Sequence, residues 1–173
     1  MNLPNKLTMT RVVAVPLFIL AYIFKFYIAA CILFIIASVT DYFDGKIARS
    51  RNLVTNFGKI MDPLADKLLV YSAFCLMVEN GTIPGWSLII VLAREFAIAG
   101  MRTVAASEGT VIAAGMSGKI KTFLQMIAVP LLILFPSVPV FRIPAYIFFW
   151  ASMFMTVYSG TEYILKNKSV FSM

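Results

Sequence analysis

Asp41-Tyr42-Phe43-Asp44-Gly45-Lys46-Ile47-Ala48-Arg49 and, eight residues on, Gly58-Lys59-Ile60-Met61-Asp62-Pro63-Leu64-Ala65-Asp66 place two pairs of aspartates at the ends of two apolar runs. Half of the eight acidic residues of the chain fall within these 26 positions. A carboxylate at or near membrane depth costs at least a few kcal/mol, so such residues are usually paired and functional. Four together repel one another unless cations sit among them. The spacings of three and four residues put both members of each pair on one helix face. The polar stretch between the pairs is short, so the flanking helices are expected to be antiparallel neighbours with four carboxylates at one end.

Working outward, the rest of the chain is apolar. Of 173 residues 61% are hydrophobic, with a mean hydropathy of +0.89, against roughly 45–50% apolar residues in soluble domains. The apolar runs reach the length of about 20 residues that a bilayer crossing needs. The pattern predicts an all-α, polytopic membrane protein, one domain over residues 1–173, with six transmembrane helices near 9–25, 28–48, 59–79, 84–106, 117–136 and 142–165. Asn2 to Leu7, with Pro4, predicts a short interfacial helix ahead of the first span. Arg49 to Gly58 reads as a loop. Lys6 and Arg11 precede the first apolar run as in a signal peptide, but no convincing Ala-x-Ala cleavage site follows, so that run is expected to be retained.

The net charge of +7 is spread between apolar runs rather than gathered on a soluble basic face, which argues against nucleic acid as a partner and for a positive-inside topology beside anionic lipids. With the N-terminus cytoplasmic, Lys6, Arg11, Lys46, Arg49, Arg51, Lys59, Lys67, Arg102, Lys119, Lys121, Lys166 and Lys168 share that side, and only Lys25 and Arg142 fall opposite. Both termini and the aspartates are therefore expected at the cytoplasmic face. Cys31 and Cys75 lie inside apolar runs without a CxxC pattern, and the chain has no histidine. They read as buried hydrophobes, and any general base must be a carboxylate, a lysine or a tyrosine.

An all-oxygen ligand set suits Mg²⁺ or Mn²⁺ and argues against zinc. Four carboxylates exceed what one Mg²⁺ usually recruits, so Asp41, Asp44, Asp62 and Asp66 fit a two-metal site of the kind that clamps a phosphoryl displacement. Gly45 clears the helix face beside Asp44, Ala48 keeps it narrow, and Arg49 offers a planar fork for phosphate. Together these suit a nucleotide diphosphate or similar ester. Taken singly, Gly45 and Ala48 are more often helix-packing residues, and Arg49 an ordinary positive-inside charge. A reading of another class is a divalent-cation transporter or proton relay, but no acidic trail continues through the fifth and sixth spans.

The pattern Asp-x2-Asp-Gly-x2-Ala-Arg-x8-Gly-x3-Asp-x3-Asp, filled by Asp41, Asp44, Gly45, Ala48, Arg49, Gly58, Asp62 and Asp66, resembles the signature of the CDP-alcohol phosphatidyltransferases. The resemblance implies a six-helix, homodimeric membrane enzyme that moves a phosphatidyl group from CDP-diacylglycerol to an alcohol and releases CMP. It implies that Asp41, Asp44 and Asp62 ligate metal, and that Asp66 both touches metal and acts as general base. It further implies that Gly45, Arg49 and Gly58 serve the cytidine diphosphate. Neighbouring enzymes with the same signature use inositol phosphate, serine or phosphatidylglycerol as acceptor, and an inactive scaffold would keep the fold alone.

Asn2 to Arg11, Arg94 to Ala106 and Gly118 to Thr122 resemble the bacterial branch of that family that forms phosphatidylglycerophosphate in the cytoplasmic membrane. That resemblance weakens after about residue 135. It implies sn-glycerol 3-phosphate as acceptor and places Asn5 and Thr8 near the cytidine, although either also reads as a helix cap. A dianionic acceptor needs cations, and Arg94, Arg102, Lys119 and Lys121 are the candidates. Arg94 lies inside a span, where an unpaired guanidinium is expensive; its structural alternative is a pair with Glu95 or Glu108. Lys119 and Lys121 equally suit plain positive-inside charges.

Overall fold

The computed structural model describes residues 3–50, 56–107, 109–113 and 115–168, with side chains described throughout except at 3–8, 11, 41–50, 56–63, 65 and 66. These residues form α1 (Leu3–Ile23), α2 (Tyr27–Ser50), α3 (Asn56–Glu79), α4 (Gly85–Ser107), α5 (Met116–Leu134), a 3₁₀ turn (Pro139–Phe141) and α6 (Arg142–Lys166), with no strand among them. α2 to α6 coincide within a few residues with the last five apolar runs, and α1 starts earlier than the first. The all-α expectation is borne out.

Two expectations are corrected. The N-terminal interfacial segment is not a separate helix, because α1 runs unbroken from Leu3 to Ile23. Pro4 is its second residue, where the missing N–H is one of the four that a helix start leaves unpaired anyway. The stretch expected as a loop from Arg49 to Gly58 is helical at both ends, since α2 continues to Ser50 and α3 begins at Asn56, while residues 51–55 lie outside the described residues.

Among the described residues, Met116–Leu134 and Pro139–Lys166 are long and apolar enough to cross a membrane by length and composition, and Val12–Ile23 and Tyr27–Thr40 are shorter apolar helices. Charge sets α4 apart from the first two, since it carries Arg94, Glu95 and Arg102 within the length of one span.

The core joins α1, α2, α3, α5 and α6 around Phe18, Phe34, Phe74, Met77, Leu132 and Phe149, each essentially buried. Phe74 meets Phe149 edge-on at 6.4 Å, and Phe18 lies 6.0 Å from Phe34. α5 packs most extensively on α6, and α1 on both α2 and α3. The outward faces are apolar as well. Val13, Leu17 and Leu20 on α1, and Ile143, Ile147, Phe154 and Val157 on α6, are all more than half exposed and recur at helical spacing.

Successive helices alternate in direction, and hydrogen bonds tie one end of the bundle together. Asn80 Nδ2 donates to Tyr22 Oη at 2.8 Å, and Tyr146 Oη donates to the Thr82 carbonyl at 2.9 Å. The start of α1, end of α2, start of α3, end of α4, start of α5 and end of α6 consequently share the opposite end, where a large cavity opens.

Candidate active site

Both aspartate pairs lie on helical backbone. Asp41 and Asp44 lie in the last three turns of α2, with Gly45 and Arg49 after them, and Gly58, Asp62 and Asp66 lie in the first three turns of α3. Asn5 and Thr8 lie in the first two turns of α1. All these residues belong to the same end of the bundle. Their side chains, like Glu108, lie outside the described residues, and among the described residues no group of three or more acidic or cysteine side chains is gathered for a metal. The donor chemistry fits a hard divalent cation: carboxylates alone, on two consecutive antiparallel helices at one bundle end.

Beside them, α3, α4, α5 and α6 enclose a cavity of about 1040 Å³. Its wall carries five basic side chains (Lys67, Arg94, Arg102, Lys119 and Lys166) against two acidic ones, Glu95 and Glu162. Three of the four residues expected to meet the acceptor phosphate, Arg94, Arg102 and Lys119, thus line one space. Lys67, the residue directly after Asp66, brings α3 into the same wall.

The fourth, Lys121, stands behind that wall. It is 4% exposed, and its Nζ donates to Glu95 Oε1 at 2.8 Å. Arg94 Nη1 donates to the same oxygen at 2.9 Å, and Lys67 Nζ lies 3.7 Å from Oε2. One largely buried carboxylate therefore joins cations from α3, α4 and α5. A buried charge is tolerable only when paired in this way, and three cations on one carboxylate leave a positive surplus facing the cavity. Arg94 does pair with Glu95, as its structural alternative anticipated, while also lining the cavity.

Arg94 also reaches α6. Nη2 donates to Ser159 Oγ at 3.2 Å, and that hydroxyl donates to the Thr156 carbonyl at 3.3 Å. Among the described residues, Nε is buried without a hydrogen-bond partner. Two turns along α4, Arg102 Nε donates to Tyr163 Oη at 3.1 Å, and its guanidinium carbon lies 5.7 Å from the ring centre. Among the described residues, stacking and a single hydrogen bond hold this arginine in place and leave most of its donor fork available.

Sequence reasoning missed Lys67, Ser159 and Tyr163, and saw Glu95 only as a possible partner for Arg94. A signal for the α6 residues exists. Ser152, Thr156, Ser159 and Tyr163 are buried at 2%, 1%, 2% and 8% exposure, and they recur every three or four residues within an apolar span. A polar stripe of that period on a membrane helix faces other protein rather than lipid.

Comparison with known proteins agrees with this arrangement. Residues 1–158 match the family model described as CDP-alcohol phosphatidyltransferase. The chain is similar to the CDP-diacylglycerol–glycerol-3-phosphate 3-phosphatidyltransferase of Bacillus subtilis, 45% identical over 96% of this chain and 95% of that one. It is similar to the protein of the same name from Rickettsia felis at 38% identity over 98% of this chain and 97% of the relative. A probable phosphatidylglycerophosphate synthase of Mycobacterium tuberculosis is 36% identical, covering 95% of this chain and 81% of the relative. A matched model spanning most of the chain, relatives aligned almost end to end, and a complete signature on two adjacent helix ends lead to one conclusion: this chain belongs to the CDP-alcohol phosphatidyltransferase family.

Proposed function

We propose that this chain transfers the phosphatidyl group of CDP-diacylglycerol to sn-glycerol 3-phosphate, yielding phosphatidylglycerophosphate and CMP. The observation that carries the acceptor is the basic cavity, because a small dianion needs several cations and little else. Its position at the bundle end that holds Asp41, Asp44, Asp62 and Asp66 supports acceptor and donor meeting there. The near-full-length likeness to transferases bearing that name supports the same reading.

In this reading Arg94, Arg102 and Lys119 bind the acceptor phosphate, with Lys121 and Lys67 adding charge through Glu95. Gly45, Gly58 and Arg49 receive the cytidine diphosphate, with Asn5 and Thr8 beside the cytidine. Asp66 takes the proton from the acceptor hydroxyl as its oxygen bonds to the β-phosphorus, and the bond from that phosphorus to CMP breaks. Asp41, Asp44, Asp62 and Asp66 would hold two divalent cations, Mg²⁺ or Mn²⁺, whose charge stabilises the diphosphate and the leaving group.

The same reading puts all six helices across the bacterial cytoplasmic membrane, with both termini and the active site on the cytoplasmic side, in a homodimer. The apolar outward faces of α1 and α6 suit lipid, and Trp86 and Trp150, 5.6 Å apart at the outer end, suit the interfacial aromatic belt. The test is a product assay on purified protein supplied with CDP-diacylglycerol, glycerol 3-phosphate and Mg²⁺ or Mn²⁺. Phosphatidylglycerophosphate and CMP are expected in equal amounts and are expected to vanish with EDTA. A lipid product formed only with inositol phosphate, serine or phosphatidylglycerol would overturn the choice of acceptor.

A further inference from the structure

Arg94 crosses from α4 between two glycines on the neighbouring helices. A methyl group at Gly160 of α6 would lie 3.0 Å from Arg94 Cγ and 3.8 Å from its Cβ, and a methyl group at Gly118 of α5 would lie 3.0 Å from Nη2. One glycine therefore clears the stem of the side chain and the other clears its tip. The tip has little freedom to yield, since Nη1 is bonded to Glu95 and Nη2 to Ser159. The stem has less, because a single rotatable bond, Cα–Cβ, separates its Cγ from the α4 backbone.

Neither glycine is explained by backbone conformation. Both lie within regular helix, where alanine is intrinsically favoured over glycine. What the missing side chains leave is the path of one guanidinium.

We infer that Gly118 and Gly160 are positioning residues for Arg94, together forming a slot that presents its guanidinium to the anionic acceptor. The inference rests on the proposed acceptor role of Arg94. Ser159 and Gly160 act as a unit on α6, the first fixing the guanidinium and the second admitting the stem. An added methyl at either glycine displaces the cation without changing any charge, so its effect falls on acceptor binding rather than on the donor.

The test uses the full-length enzyme and follows CMP release with each substrate varied in turn. Gly118→Ala is expected to raise the KM for glycerol 3-phosphate about tenfold with the KM for CDP-diacylglycerol within about twofold of wild type. The discriminating arm is a double-mutant cycle with Arg94→Lys. Lysine carries its charge where the guanidinium carbon stood and has no atom at the Nη2 position, so Gly118→Ala in that background is expected to cost less than about twofold more. Gly160→Ala is expected to show the same acceptor selectivity but no such rescue, since lysine retains Cγ. Equal rises in both KM values, or an undiminished cost of Gly118→Ala in the Arg94→Lys background, would overturn the inference. Gly118 is only half-buried and its methyl would meet a side-chain tip, so Gly118→Ala is expected to fold even if the buried Gly160 tolerates no methyl, and its two measurements then decide the matter. A wild-type acceptor KM in Arg94→Ala would instead remove the acceptor reading and the inference with it. A raised acceptor KM in Arg94→Ala beside a wild-type value in Gly118→Ala would remove only the inference.

Discussion

Arg94, Arg102 and Lys121 show how differently three basic residues from similar surroundings can be used. Lys121 is committed to Glu95, Arg94 divides its donors between protein and cavity, and Arg102 is steadied mainly by an aromatic face. Arg102→Ala is therefore expected to raise the KM for glycerol 3-phosphate about tenfold, the loss of roughly one charge-assisted hydrogen bond, while the donor KM stays near wild type. Initial rates with either substrate varied will show this; the reverse ranking would place Arg102 with the donor. Asp66→Ala is expected to abolish turnover while metal-dependent binding of a cytidine nucleotide persists, as calorimetry on the variant will report. Equal loss of binding and turnover would make its role structural. Glu95→Gln leaves the buried Lys121 ammonium without its carboxylate, and breaking a buried pair costs about 3 kcal/mol. Thermal unfolding should register that loss, and a variant as stable as wild type would show that Lys121 finds another partner or sheds its proton.

At the scale of the element, the helix ends follow local rules that the sequence spells out. α3 closes with Gly81 at φ 74°, whose N–H donates to the Val78 carbonyl while the Thr82 N–H reaches Met77, and α4 closes in the same way at Gly109, φ 77°. This is the paired hydrogen-bond pattern that needs a left-handed residue after the helix. α1 ends with the same two bonds around Lys25 at φ 62°, where an L-residue pays a steric penalty. Among the described residues, no atom beyond the adjoining residues lies within 4 Å of a methyl added at Gly81 or Gly109. Alanine at either position should consequently lower stability by about 1 kcal/mol through backbone conformation alone, with kcat unchanged. Denaturation curves compared with activity will separate the two effects, and a loss of activity without a loss of stability would refute this account.

At the scale of the whole molecule, alternating helices gather every candidate site residue at one end and the tyrosine–loop hydrogen bonds at the other. In a background with Cys31→Ala and Cys75→Ala, Val140→Cys is expected to react with an impermeant maleimide added to intact cells, and Lys168→Cys only after permeabilisation. The opposite pattern would invert the proposed topology. Much was legible in the chain itself. Apolar runs of bilayer length dictate helices because an unpaired backbone polar group has no partner in lipid, and the fixed spacing of Asp41, Asp44, Asp62 and Asp66 along those helices carried the candidate chemistry. The extent of α1 escaped, because a proline is read as a break even at a helix start that tolerates it. The sequence by itself thus determined the helices, their order and the acidic pairs, all of which depend on neighbours three or four residues apart. Only the tertiary structure decided that Glu95 gathers Lys67, Arg94 and Lys121, and that Gly118 and Gly160 flank one arginine, because those partners come from different helices and meet through packing that no local spacing records.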